Sequence, residues 1–178
     1  MTPIKGYPQS PPPGLNEAVE AAGIVLVNES GVWKASDPVA AEKIAATYDP
    51  TDHVRAEKSA QLADERWQRE TGGFMFQPSG ADRPYLFKST REAMGPVMGA
   101  VLAVQSGVFP DPTMWKTAEP GAVFVPLTAA DVLPLFKAFA AHVAASFAEE
   151  AQKQDTVKSV PWQDAVAVAI EAAPADKP

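Results

Sequence analysis

The stretch Thr128–Glu150, TAADVLPLFKAFAAHVAASFAEE, decides the fold. Val132, Leu135, Phe136, Phe139, Val143 and Phe147 recur three or four residues apart, so a helix lays them in one continuous apolar stripe. Ala138, Ala141, Ala144, Ala145 and Ala148 on the same helix let neighbours approach closely, and Pro134 is expected to bend its beginning. Gln152-Lys153-Gln154-Asp155 reads as the end of this helix. A last one then starts near Ser159-Val160-Pro161, with Trp162, Ala165, Val166, Ala169 and Ile170 on one face and a frayed tail from Ala173.

Upstream, the pattern alternates hairpins with helices. Pro112–Thr117 and Ala122–Leu127 flank Ala118-Glu119-Pro120-Gly121 as one hairpin, and Phe74–Gln77 and Arg83–Phe87 flank Pro78–Asp82 as another, with Pro84 marking an edge strand. Between them Ser89-Thr90-Arg91-Glu92 has capping-box spacing, and Met94, Val97, Met98, Val101 and Leu102 follow at helical intervals to Gly107, with a kink or broken start expected at Pro96. Asp52 to Thr71 reads as a charged helix stopped by Gly72-Gly73. Its apolar stripe of Val54, Ala60, Ala63 and Trp67 is thin, so it projects into solvent with pairs such as Glu65 and Arg69, or meets another chain.

The beginning is different in character. Five prolines in residues 1–14 fix φ and remove amide donors, which favours an extended arm; Pro8-Gln9-Ser10-Pro11 has PxxP spacing, but a plain linker explains it better. Leu15–Ala22 makes two helical turns, Ile24–Val27 and Val32–Ala35 form a hairpin, and Asp37 caps a helix that Asp49-Pro50 ends. The expected class is α+β: helices carry most of the core, with small antiparallel hairpins beside them. The expected segments are an arm over 1–14, a hairpin and helix over 15–50, and a C-terminal α+β domain over 51–178.

Composition narrows the function. Fifteen Lys and Arg against 22 Asp and Glu give a net charge of −7, which opposes a phosphate backbone, so nucleic acid is not an expected partner. The absence of Cys excludes disulfides, a thiolate nucleophile and Cys-ligated metals. The N-terminus lacks the apolar run of a signal peptide, and the longest apolar run, Met94–Val104, is far short of the roughly 20 residues of a membrane span, so neither export by that route nor a membrane is expected.

Catalytic constellations are not apparent. His53 and His142 lie on separate helices without metal-ligand spacing, and Ser146, one turn after His142, lacks an evident oxyanion donor or orienting carboxylate. Gly95 and Gly99 have the spacing of a close helix contact, and the adjacent carboxylates Asp64-Glu65 and Glu149-Glu150 read as solvated charges. No enzyme activity, cofactor or metal is expected.

From Trp33 onward the order of short motifs resembles a bacteriophage family, the tail-fibre assembly-type proteins and the small domain of unknown function found in phage tail gene clusters. The resemblance is carried by Tyr48-Asp49-Pro50, by Gly72-Gly73-Phe74-Met75-Phe76, by Tyr85–Arg91, by Trp115–Gly121 before Leu127-Thr128, and by the closing Ala169-Ile170-Glu171-Ala172. It implies binding to phage tail-fibre or other tail proteins, in the virion tail or in the host cytoplasm during assembly. The role is then that of an assembly chaperone, or alternatively of a permanent part of the tail, baseplate or fibre; self-association is a further option. Trp67, Phe74, Phe76, Tyr85, Trp115 and Trp162 are the candidate partner-binding residues.

Overall fold

A computed structural model describes residues 1–121 and 123–168. The elements run β1 (Thr2–Pro3), α1 (Leu15–Ala21), β2 (Leu26–Glu29), β3 (Val32–Ala35), α2 (Pro38–Thr47), α3 (Thr51–Thr71), β4 (Phe74–Phe76), β5 (Tyr85–Phe87), α4 (Arg91–Gln105), β6 (Thr113–Lys116), β7 (Phe124–Leu127), α5 (Ala129–Ser159) and α6 (Trp162–Val166). The fold is α+β, with the strands in small antiparallel sheets. Residues 1–60 and 154–168 form one compact unit and residues 61–153 a second. This differs from the three segments read from sequence.

In the first unit the Pro-rich segment is laid down on its own chain rather than standing free. β1 pairs with β3 to give the order β1-β3-β2, and the Ile4 amide donates to the Trp33 carbonyl at 3.0 Å. That bond sets the ladder so that Pro3, opposite Lys34, falls where no amide is required of it. Ile4 and Tyr7 are buried with Leu15, Val19, Ile24, Ala35 and Ala41, and the Tyr7 hydroxyl donates to Asn16 Oδ1 at 2.8 Å. The arm thus covers apolar surface of its own chain. Its end is fixed by Gly14, whose φ of +79° is open to glycine alone at low cost. A Cβ there would also collide with Tyr48 Oη and the His53 ring. The Asp37 cap forms as expected, with its carboxylate accepting from the Ala40 amide at 3.0 Å.

The second unit gathers Phe74, Phe87, Val97, Val125, Leu127, Leu135 and Phe139 into one core. The phenyl rings of Phe74 and Phe139 meet edge to face with centroids 5.7 Å apart, a favoured arrangement of ring quadrupoles. Neither internal proline stops its helix: α4 continues through Pro96 and α5 through Pro134. Both prolines are exposed, so the carbonyls left unpaired one turn earlier stay open to water. α5 also runs on past Gln152–Asp155 to Ser159, because no Gly or Pro interrupts it; α6 spans only five residues, and the expected Ala169 and Ile170 lie outside the described residues. By length and composition alone α5 could cross a membrane, as can many core helices, but Val132, Leu135 and Phe139 are buried against its own chain.

Ser89 does not cap α4. Its hydroxyl donates instead to the Glu70 carbonyl and accepts from the Gly73 amide at 2.8 Å, tying the end of α3 to the start of α4. Half of a capping box appears on α5, where Asp131 accepts from the Thr128 amide at 2.8 Å and from the Thr128 hydroxyl at 2.6 Å; its carboxylate also accepts from the Ser79 amide at 2.7 Å. Burial raises the Asp131 pKa, but the hydrogen bonds from Ser79 and Thr128 outweigh it and bring it to about 2.

The thin apolar stripe of α3 is compensated by charge. Glu65 is only 6% exposed and Glu70 8%, which corrects the reading of Glu65 as solvated. Lys153 bridges Glu65 at 2.6 Å and Glu149 at 3.0 Å; Arg69 pairs with Glu65 and, at 2.8 Å, with Glu149; Arg66 pairs with Glu70 and, through Nε at 2.8 Å, with Glu150. Burial alone favours loss of the Lys153 proton, yet the two carboxylates hold its pKa above the ordinary lysine value. The Arg66 guanidinium also lies 4.5 Å from the centre of the Phe147 ring.

Two outcomes follow. Glu65→Ala removes from a buried cluster the carboxylate that Arg69 and Lys153 share and is expected to cost about 3 kcal/mol in urea unfolding, whereas Glu29→Ala, in an exposed pair with Lys34, is expected to leave the unfolding midpoint nearly unchanged. Because the folded pKa of Asp131 lies below its unfolded value of 3.8, its contribution is present above about pH 4 and is lost as pH falls toward 2. Asp131→Asn should therefore lower stability at pH 7 by roughly 2 kcal/mol and flatten the acid limb of a thermal-melt series between pH 4 and 2.

Candidate functional site

In the second unit, a cavity of about 400 Å³ opens beside β6. Phe74 and Phe87 of the β4–β5 hairpin, Ala93, Pro96 and Val97 of α4, and Leu135 of α5 give it apolar walls, and β6 lines it with all four of its residues, Thr113, Met114, Trp115 and Lys116. Consecutive strand residues alternate sides, so a surface touched by four in a row is the strand's edge.

The ladder explains why that edge is open. β6 pairs with β7 from Thr113 opposite Leu127 to Lys116 opposite Phe124, and the Thr117 amide donates to the Val123 carbonyl at 2.9 Å. Counting back in steps of two, the main-chain groups of Trp115 and Thr113 face β7, while those of Met114 and Lys116 face away. Pro126, opposite Met114, therefore occupies a position where the ladder needs no amide. Two residues further on, the Ala118 amide donates to the Leu86 carbonyl of β5 at 2.7 Å, which closes the edge there. Among the described residues, nothing closes it at Met114 and Lys116. Lys88 and Lys116, both exposed, line the cavity without a carboxylate partner among those residues.

The expected partner-binding residues separate by burial. Phe74, 7% exposed, stacks on His142, meets Phe139 edge to face inside the core, and forms part of the cavity wall. Phe76, Tyr85 and Trp115 are half-buried around that core, with the Arg83 guanidinium 4.2 Å from the Tyr85 ring centre; Trp162 is half-buried on α6 in the first unit. Trp67 is 56% exposed on α3. Sequence reading missed Met114 and Phe124, exposed on the outer face of β6–β7, and Met98 and Leu102 on α4. Met114, Lys116, Phe124 and Pro126 share that outer face, which strict alternation along the two strands could have indicated. Gly95 and Gly99 face open space among the described residues instead of a close helix contact.

The histidine and serine of α5 do not form a nucleophile and base. Ser146 donates to the His142 main-chain carbonyl at 3.0 Å, and His142 Nε2 lies 3.0 Å from the Arg69 carbonyl, which can only accept, so that nitrogen carries the proton. Among the described residues, no three His, Asp or Glu side chains gather as for a metal ion.

Residues 53–174, about two thirds of the chain, match the family model described as a domain of unknown function, DUF4376. The chain belongs to this family. No curated protein and no solved structure matches it significantly.

The two faces of β7 should respond differently to substitution. Phe124→Ser, on the outer face, is expected to shift stability by less than about 0.5 kcal/mol, and Leu127→Ala, fully buried, to cost about 3 kcal/mol in the same thermal melts.

Proposed function

We propose that this chain is a bacteriophage tail-fibre-associated assembly protein that binds fibre or tail polypeptides through its second unit. The observation that carries the reading is the surface this unit leaves uncovered. Met114 and Phe124 on one sheet face are large apolar side chains held in water next to an unpaired strand edge, and Met98 and Leu102 on α4 and Trp67 on α3 are further exposed apolar side chains of the same unit. Such surface marks a protein that docks on another. The motif order from Trp33 to Ala172 supplies the phage context. The alternative, a permanent place in the tail, would draw on a free Pro-rich arm to pin the chain to a neighbour, and here that arm is engaged with its own chain.

Co-expression with the tail-fibre gene of the same cluster tests the proposal. Fibre protein that is soluble and trimeric only when this chain is present supports it, together with absence of the chain from purified particles. Fibre protein that is equally soluble and trimeric without the chain overturns it, and stoichiometric copies in particles would assign the permanent role instead.

A further inference from the structure

We propose that the second unit receives its partner as an extended strand that adds to the edge of β6, sends an apolar side chain into the adjoining cavity and sets acidic residues against Lys88 and Lys116. The inference rests on reading the chain as one that binds other polypeptides.

Three observations specify the occupant. First, the groups facing away from β7 at Met114 and Lys116 form a row of main-chain donors and acceptors, which another polypeptide backbone matches residue by residue. Second, a strand on that edge turns alternate side chains to the same side, about 7 Å apart, so one of them meets the walls formed by Phe87, Val97, Trp115 and Leu135. The cavity, at about 400 Å³, has room for an aliphatic or aromatic side chain. Third, Lys88 and Lys116 present two unpaired ammonium groups at this place in a chain whose net charge is −7, which selects carboxylates locally. The Leu86–Ala118 bond blocks the edge beyond Lys116, so an added strand is confined to the Thr113–Lys116 stretch. So short an edge forms few hydrogen bonds, and an isolated segment should bind weakly.

The test uses the full chain, labelled with nitrogen-15, and a blocked heptapeptide of sequence Thr-Val-Asp-Leu-Asp-Val-Thr. Expected are saturable amide shifts centred on Met114 and Lys116 and a shift of the Trp115 indole. A peptide N-methylated at its two Asp residues, which removes edge hydrogen bonds and leaves side chains unchanged, should bind at least about tenfold more weakly, equivalent to 1.4 kcal/mol. The double variant Lys88→Glu, Lys116→Glu, with both changes at exposed positions, should weaken the acidic peptide at least about fivefold and strengthen a Lys-for-Asp version of it. No saturable shift, shifts centred elsewhere, or equal binding of the N-methylated peptide would overturn the strand mode. Capture of the fibre protein by the unaltered chain is measured in parallel. Capture without competition by the peptide refutes only the strand mode, and the absence of both capture and peptide binding removes the partner reading as well.

Discussion

Glu65 is the point on which the second unit depends. It is a buried carboxylate on a helix with too little apolar surface to be held by burial; its Oε1 is shared by Arg69 one turn along and Lys153 on α5, while Oε2 is buried without a hydrogen-bond partner among the described residues. Glu149, Glu150, Arg66 and Glu70 extend the pairing, so α3 is fastened to α5 by charges that would be costly to bury singly. Hydrogen-bonded pairing in a partly dry setting gives direction, which apolar contact lacks. Ser89 completes the attachment by holding both the Glu70 carbonyl and the Gly73 amide. The β4–β5 hairpin follows directly from this anchored helix end, and Phe74 enters the core from there.

The same economy governs the sheets. With only two strands each, β4–β5 and β6–β7 cannot bury both faces or satisfy both edges. The chain closes part of this deficit internally, through the Ala118–Leu86 bond and the Arg83–Glu119 pair, whose two contacts measure 2.8 and 2.7 Å. It leaves the Met114 and Lys116 edge and the Met114–Phe124 face open. Prolines fit because each falls on a position that donates nothing: Pro3 opposite Lys34, and Pro126 opposite Met114. In the first unit the corresponding deficit is met by the chain's own N-terminal segment, which adds β1 to β3 and buries Ile4 and Tyr7.

Much of this was legible in the residues. The stripe of α5 from Val132 to Val143, the three hairpins, the Asp37 cap and the Glu65–Arg69 pair follow from local periodicity and turn chemistry, because the forces that make them act over a few positions, whereas Phe147, read as the end of that stripe, is 48% exposed. What stayed hidden depends on distant partners. Nothing local to Glu65 reveals Lys153, 88 residues away, and nothing near Ser89 announces that its hydroxyl serves Glu70 instead of α4. Prolines 3–13 suggested a free arm because their local preference is extended, yet Ile4 and Tyr7 between them had a core to enter. At the candidate site, Trp115 and the apolar hairpins were visible in sequence. Which edge stays open was not, since it depends on where the Thr117–Val123 and Ala118–Leu86 bonds fall.

Residue-resolved amide hydrogen exchange, on the free chain and again with the tail-fibre protein added, tests the central claim most directly. The account predicts slow exchange at Trp115 and Thr117 in both samples, and at Met114 and Lys116 fast exchange in the free chain that becomes slow on adding the fibre. Slow exchange at Met114 and Lys116 before any partner is present, or exchange there that the fibre leaves unchanged, would contradict it.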